Sequence, residues 1–339
     1  MPRSLKVVLT LAAVLLAIVA GTLVWALSAR SDDFAFVPRS AQPALGAVTL
    51  EDQPKAPDGA GSVWFSTVGI RHATVWETWF GIDGGGEIVP RHALISPGER
   101  EEDRSRLEAV SMDASQVNAE IVALRALGEE VDVRPAGVRI VGMDPQAPIL
   151  ADGAQIGDVI VRVDGTPIVT TAALRAAVAR VGPDAAIELE LRRPHEDEPV
   201  AVATTTIRGP KGEALLGIVP SEARTVSAER TVEYSVDGVG GPSAGLAFAL
   251  QIYSAGKDYA NLGGLKVAAT GTISEKGEVG SVGGTAQKAI GAGRVDADLF
   301  LVPRDNYRTA AAAAPDGVDV VAVGTFDEAL AAITRAAAA

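Results

Sequence analysis

This 339-residue chain has no cysteine, only three histidines and no cluster of basic residues. Without cysteine there are no disulfides, thiolate metal sites or cysteine nucleophiles. The formal net charge of −13, with no basic cluster, argues against nucleic acid as a partner. No G-x-x-x-x-G-K-[ST] sequence occurs and no metal-ligand set is visible, so we expect no nucleotide or metal cofactor. The three histidines are His72, His92 and His195.

The first 30 residues predict one membrane-spanning helix. Val7 to Ala29 is almost entirely apolar and long enough to cross a bilayer. Arg3 and Lys6 precede it, which predicts a cytoplasmic N-terminus and a single-pass protein of the cell membrane with an extracytoplasmic body. Ala26-Leu-Ser28 resembles a cleavage site, so a removed signal peptide is the alternative to an anchor.

The segment from residue 31 to 131 carries no recognisable motif. Val63 to Ile70 is typical of a strand, and the apolar spacing from Asp113 to Leu127 predicts a helix. The charge run Glu99 to Arg106 indicates a solvated linker or a helix start. The few aromatic residues of the chain concentrate here in one cluster, which predicts packing against the later domain or, alternatively, a surface for lipid or substrate: Trp76, Trp79 and Phe80.

Ser243 follows a glycine-rich turn and opens an apolar segment. The stretch Gly238-Val-Gly-Gly-Pro-Ser-Ala-Gly245 gives the backbone freedom and room for a substrate strand. From Ala244 to Tyr253 the residues are almost all apolar, which indicates a buried helix. A hydroxyl at its start lies beside free N–H groups and the positive end of a helix dipole, as in an oxyanion site. A simple helix cap is the alternative interpretation.

The base for such a nucleophile is a histidine in the chain order His-Asp-Ser or, alternatively, a lysine. Gly241-Pro-Ser-Ala-Gly245 fits G-x-S-x-G, but that hydrolase fold needs its histidine after the serine, and all three lie upstream. His195 lies in a charged turn, where a solvated side chain is expected. Lys288 stands among small residues with no acidic neighbour until Asp296. Burial there would lower its pKa and make it a usable general base.

Three ordered motifs resemble the proteolytic domain of Lon proteases: Gly241-Pro-Ser-Ala-Gly245, Ala269-Thr-Gly-Thr-Ile273 and Gly277-Glu-Val-Gly-Ser-Val-Gly-Gly-Thr-Ala-Gln-Lys288. The resemblance implies that Ser243 is the nucleophile, that Lys288 is the base and that Thr270 orients the lysine. Backbone groups beside the serine, at Gly241 and Ala244, are the expected contacts of the oxyanion or the substrate backbone.

Residues 132–208 resemble a PDZ domain. Gly157-Asp-Val-Ile-Val-Arg-Val-Asp-Gly165 carries the signature, and a helix from Thr171 to Val181 and strands at Ile187–Arg192 and Val200–Ile207 follow. PDZ domains bind an extended peptide at a sheet edge. The resemblance implies that four residues line the carboxylate end of the groove: Ala136, Gly137, Val138 and Ile140.

These features predict a multidomain chain: a cytoplasmic tip and transmembrane helix (1–30), an N-terminal extracytoplasmic region (31–131), a PDZ-like β-rich domain (132–208) and an α/β Lon-type proteolytic domain (212–339). The order resembles membrane-anchored, PDZ-containing Lon-like proteases of bacteria. It implies an ATP-independent serine endopeptidase that cleaves protein or peptide substrates, whose PDZ domain selects or admits unfolded or C-terminal segments. Lon-type domains commonly form rings, so a homo-oligomer is a further expectation. Two alternatives are a non-catalytic PDZ scaffold of the cell envelope and a peptidase dedicated to one secreted peptide.

Overall fold

A computed structural model describes residues 3–96, 98–194, 196, 198–236 and 238–339, without the side chains of Arg3, Lys6 and Val7. The topology expected from Arg3 and Lys6 and the turn expected around His195 therefore lie outside the described part. The helices in these ranges are α1 (Arg3–Ser28), α2 (Val75–Phe80), α3 (Arg91–Leu94), α4 (Glu101–Ala126), α5 (Pro148–Ala151), α6 (Thr171–Val181), α7 (Gly245–Gly256), α8 (Thr285–Gly293), α9 (Tyr307–Ala313) and α10 (Phe326–Ala337).

The strands of the same ranges belong to several sheets. In chain order they are β1 (Arg30–Pro38), β2 (Gln42–Pro43), β3 (Val48–Leu50), β4 (Ser62–Phe65), β5 (Val68–Thr74), β6 (Glu87–Val89), β7 (Asp132–Met143), β8 (Val159–Val163), β9 (Thr166–Pro167), β10 (Ala186–Arg192), β11 (Val200–Thr205), β12 (Ile207–Arg208), β13 (Ala214–Leu215), β14 (Ile218–Ser227), β15 (Val232–Tyr234), β16 (Lys266–Ala269), β17 (Thr272–Ile273), β18 (Val279–Gly280), β19 (Leu299–Pro303) and β20 (Asp319–Val323).

The apolar N-terminal segment forms one long helix, α1. Its part from Val8 to Ser28 is long and apolar enough to cross a membrane. Such a helix fits a membrane anchor and a signal sequence alike. Among its described side chains Ala26 is buried, with 2% exposure, because the last turn packs against the body of the protein.

A five-stranded sheet in the order β2-β4-β16-β19-β20 forms the centre of the C-terminal fold. β4, β16, β19 and β20 run parallel, and β19 is buried along its whole length, as expected for a strand covered on both faces. Val267 packs on one face with Phe248 of α7. Its neighbour Ala268 packs on the other face with Ala289 of α8. This arrangement confirms the predicted α/β architecture.

Segments of the predicted N-terminal region (31–131) pair with strands of the predicted proteolytic domain (212–339). β4 pairs in parallel with β16, and β3 pairs with β15, so segments before residue 131 complete the C-terminal fold. Helix α4 also packs against α7. The sheet of the proteolytic domain therefore forms only when chain segments on both sides of the PDZ domain come together.

The PDZ sheet has the order β11-β10-β8-β7-β14, and α6 has the bounds predicted from the sequence. The pairing in this sheet continues beyond residue 208, the predicted end of the PDZ domain. β14 pairs antiparallel with β7 from Ile218↔Met143 to Ser227↔Asp132, so it belongs to this sheet rather than to the proteolytic domain. The sheet thus extends to residue 227.

Helix α4 connects the two folds. It begins at Glu101 rather than at Asp113, and three acidic residues in its first turn suit the positive end of the helix dipole. Asp113 instead lies inside the helix and accepts a hydrogen bond at 3.0 Å from Arg139 of β7. Arg224 of β14 donates to Asn118 of α4 at 2.7 Å. Two polar contacts therefore fix the PDZ sheet to the helix that packs on α7.

Candidate active site

The turn before α7 places Ser243 at the start of a buried helix. Gly241 has φ +82°, a backbone conformation that side chains disfavour, and the residues Pro242 to Ala244 form one 3-10 turn. α7 continues from Gly245 and is buried along most of its length. The predicted helix is therefore present, although Ala244 belongs to the 3-10 turn and α7 begins at Gly245.

Helix α4 holds this turn from one side. The Ser115 hydroxyl donates to the Pro242 carbonyl oxygen at 3.0 Å. The Gly241 N–H donates to the Glu108 carbonyl oxygen at 2.9 Å. A Cβ atom on Gly245 would lie 2.4 Å from the Ser115 oxygen, so the close approach of α4 to α7 requires glycine there. The turn is thus fixed by a helix for which the sequence indicated no role.

The loop after β16 holds the same turn from the other side. The Ser243 carbonyl oxygen accepts hydrogen bonds from the Gly271 N–H at 2.9 Å and from the Thr270 hydroxyl at 3.2 Å. Thr270 is completely buried. Its hydroxyl was predicted to orient Lys288, but in this structure it donates to the backbone of the serine. Its observed contact therefore positions the serine turn.

Lys288 lies inside the protein on α8. The helix begins after Gly284, whose Cβ would lie 2.6 Å from a Val68 methyl group, so glycine lets α8 approach β5 closely. Lys288 is 4% exposed. Burial lowers its pKa from 10.5 to about 7, and no ion pair or hydrogen bond from a described residue offsets that effect. At pH 7 about half of these amines are therefore neutral.

Ser243 and Lys288 line one cavity of about 450 Å³. Its opposite wall comes from the segment before residue 131, with Phe36 and Ile70 among the apolar residues there. Arg104 and Glu108 of α4 form an ion pair at 3.4 Å at its edge. The sequence-predicted nucleophile and base therefore share one pocket.

Two further polar residues of this wall have no role in the sequence analysis. The hydroxyls of Ser66 and Thr67 are buried and have no hydrogen-bond partner within the described ranges. Both residues line the cavity between β4 and β5. Buried hydroxyls are normally paired, so these two are candidate contacts for a bound substrate. The sequence suggested one continuous strand from Val63 to Ile70, which hid the break that places them in the pocket.

Only one of the two predicted oxyanion contacts, Gly241 and Ala244, has its N–H group hydrogen-bonded to α4. The Gly241 N–H is engaged by Glu108, so it does not face a substrate in this conformation. The prediction for Gly241 is therefore not supported, because α4 already accepts its hydrogen bond. Ala244 lies in the 3-10 turn at the positive end of the α7 dipole. N–H groups at such a helix end stabilise a nearby negative charge.

The predicted PDZ groove residues lie on a strand that is paired on both sides. Ala136, Gly137, Val138 and Ile140 belong to β7, which has β14 on one side and β8 on the other. β7 therefore has no free edge for a peptide, and Val138 and Ile140 are completely buried. The edge strand on this side of the sheet is β14.

Comparison with known proteins identifies two domains. The family model of the Lon protease (S16) C-terminal proteolytic domain matches residues 236–334, and the PDZ domain model matches residues 125–204. A Lon protease of Campylobacter jejuni is 36% identical over 94 residues, which are 26% of this chain and 12% of that protein. A probable periplasmic serine endoprotease DegP-like of Halomonas elongata is 36% identical over 69 residues, which are 20% of this chain and 15% of that protein.

Solved structures of PDZ domains are similar to a quarter of the chain. The PDZ domain of an SdrC-like protein of Listeria monocytogenes is 19% identical, with a TM-score of 0.23, over 25% of this chain and 87% of that one. The corresponding domain of Listeria innocua is 17% identical, with the same TM-score, over 26% of this chain and 96% of that one. The two family models thus place a PDZ domain before a Lon-type (S16) proteolytic domain in this chain, which spans only a small part of the length of the curated relatives.

Proposed function

We propose that this protein is an ATP-independent serine endopeptidase, anchored in the membrane by α1, with Ser243 as nucleophile and Lys288 as general base. The observation that carries the proposal is a buried lysine, with its pKa lowered to about 7, in the cavity that Ser243 also lines. A matching proteolytic domain over residues 236–334 supports the same chemistry. The absence of a P-loop sequence from the 339 residues supports independence from ATP.

The lowered pKa gives Lys288 the protonation state that a base needs. An ordinary lysine, with a pKa near 10.4, is neutral in only about one molecule in a few thousand at pH 7. With a pKa of about 7, the neutral fraction rises to about one half, a gain of roughly 10³-fold. Neutral Lys288 would accept the Ser243 hydroxyl proton as the serine oxygen attacks the scissile carbonyl carbon. The lysine would then return that proton to the leaving amine.

The developing oxyanion needs hydrogen-bond donors near the serine. The Ala244 N–H and the positive end of the α7 dipole would stabilise it. Water would hydrolyse the acyl-enzyme in a second step, with Lys288 again as the base. The unpaired hydroxyls of Ser66 and Thr67 would bind the substrate on the opposite wall.

The PDZ domain would bind peptide segments along β14 rather than β7. β14 is the edge strand, and Glu222 on it accepts a hydrogen bond at 3.2 Å from the Thr171 hydroxyl at the start of α6. Large apolar side chains are exposed beside this edge, with Val219 at 58% and Val169 at 49% exposure. A strand edge next to a helix and apolar side chains suits an extended peptide with an apolar residue.

The decisive experiment measures cleavage of a loosely folded protein, fluorescein-labelled β-casein, without nucleotide. We expect the wild-type chain to cleave it, and Ser243→Ala and Lys288→Met to lower the rate by at least about 10³-fold. Ser105→Ala and Lys276→Met change an exposed serine, whose hydroxyl bonds only within α4, and an exposed lysine of the same chain, and both should leave the rate unchanged.

Two outcomes would overturn the proposal. Cleavage that persists in Ser243→Ala would show that another group is the nucleophile. A wild-type chain that binds casein but does not cleave it, with or without ATP, would favour a peptide-binding scaffold.

A further inference from the structure

Helix α2 exposes aromatic side chains that no described part of the protein covers. Trp79 is 62% exposed and Phe80 is 67% exposed. Outside α1, no other large apolar side chain of the described ranges is as exposed as these two. The Phe80 ring also packs on Trp76, with ring centroids 4.2 Å apart. Adjacent exposed aromatic rings on an acidic, aromatic-poor chain mark an interaction surface.

The position of α2 is fixed by the end of α1. The Val75 N–H, at the start of α2, donates to the Ala29 carbonyl oxygen at 3.0 Å. Ala26, in the last turn of α1, is buried in a contact region between α1 and α2. The apolar span ends at Ser28. A residue at the end of a span lies at the edge of the hydrocarbon layer, so α2 lies at the level of the lipid headgroups.

The polar groups of α2 are already paired. Thr74 and Glu77 form a reciprocal capping box that satisfies the start of the helix. Arg71 of β5 binds the Glu77 carboxylate with two hydrogen bonds, at 2.8 Å and 2.5 Å. The charge of the Glu77 carboxylate is thus neutralised by Arg71. The side chains of α2 that remain exposed are aromatic. Tryptophan rings favour the interface between membrane and water because they are apolar with one polar N–H group.

We propose that α2 is an interfacial anchor, with Trp79 and Phe80 inserted between lipid headgroups and acyl chains of the bilayer that α1 spans. This inference rests on the membrane anchoring in the proposed function. Lipid is the occupant because the surface is continuous with the end of the span. β5 runs from Val68 and Ile70, which line the catalytic cavity, to the start of α2. β5 is therefore the direct backbone link between the cavity wall and α2.

The experiment uses single-tryptophan versions of the full chain in nanodiscs of phosphatidylcholine and phosphatidylglycerol. One version keeps Trp79 and carries phenylalanine at the other three tryptophan positions. Two matched versions keep only Trp25, in the last turn of α1, or only Trp64, which is partly buried in the proteolytic domain and donates to Ser62 at 2.8 Å. Lipids brominated near the headgroup or near the chain end quench tryptophan at the corresponding depth. Circular dichroism melting verifies that each version folds.

We expect headgroup-proximal bromine to quench Trp79 several-fold more strongly than chain-end bromine, and neither to quench Trp64. Trp79 that responds only to aqueous iodide would overturn the inference, as would Trp79 shielded from both iodide and bromine, which indicates a protein partner or second copy. The Trp25 version distinguishes failure of the interfacial helix from failure of the membrane anchor. If bromine quenches Trp25 but not Trp79, the anchor stands and the interfacial helix fails. If bromine quenches neither, the membrane anchor itself fails.

Discussion

Replacing Lys288 by methionine should stabilise the proteolytic domain by an amount that depends on pH. Methionine has a similar length and an apolar, adaptable side chain, so it suits the buried position. In the folded chain, burial lowers the pKa of Lys288 from 10.5 to about 7. In the unfolded chain the amine regains its ordinary pKa. Folding at neutral pH therefore costs the free energy of burying or discharging this ammonium.

The size of this cost follows from the two pKa values. Lowering the pKa from 10.5 to about 7, at about 1.4 kcal/mol per unit, corresponds to about 5 kcal/mol. Below pH 7 the amine is protonated in both states and the full cost is present. Between pH 7 and 10.5 only the unfolded chain binds the proton, so wild-type stability rises by about 1.4 kcal/mol per pH unit. Above pH 10.5 the cost disappears.

Hydrogen exchange of α7 and α8 amides measures this effect in the proteolytic domain itself. In the full chain, Lys288→Met should raise the free energy of opening by about 5 kcal/mol near pH 6.5 and by about 2 kcal/mol near pH 9. Lys276→Met removes an exposed lysine and should change little at either pH. A gain of equal size at both pH values, or a loss at both, would refute the reasoning, because either result means that no ammonium is desolvated by folding.

Three further predictions concern the reaction itself. Because the base must be neutral, kcat/KM for a peptide substrate should fall about tenfold per pH unit below about pH 7, and a flat profile there would contradict the role of Lys288. Thr270→Val removes the hydroxyl that donates to Ser243, a net loss of about 1 kcal/mol, so kcat should fall about fivefold in steady-state assays. Ser115→Ala frees the Pro242 carbonyl and should lower kcat by a similar factor without raising KM. Ser111→Ala, whose hydroxyl bonds only within α4, is its control, and equal effects of the two would contradict a positioning role.

The local signals in the sequence predicted the site better than the domain boundaries. Glycine-rich turns, apolar runs and small neighbours are properties of adjacent residues, and they identified the Ser243 turn and the buried position of Lys288. Helix α6 has the bounds predicted from the sequence. In these places local preference and tertiary structure agree.

Long-range pairing accounts for what the sequence did not reveal. β4 pairs with β16 across about two hundred residues, and no local pattern specifies a parallel partner at that distance. β14 follows a linker and reads as the first strand of the next domain, yet its backbone pairs with β7. The placement of the predicted PDZ groove on β7 has the same origin, since the free edge of a sheet is known only when strand order is known. Ser66 and Thr67 could not be predicted as site residues, because their position in the cavity depends on the pairing of β4 with β16.

The protonation state of Lys288 is the most direct test of the proposed mechanism. The chain has seven lysines, so NMR of lysine labelled with carbon-13 at the ε position can resolve each side-chain titration, and Lys288→Met identifies the relevant signal. In the folded full chain we predict a signal that titrates with a pKa of about 7, in the wild type and in Ser243→Ala alike. A Lys288 signal that titrates near 10.5 would contradict the account, because that amine would be a solvated ammonium and not a base.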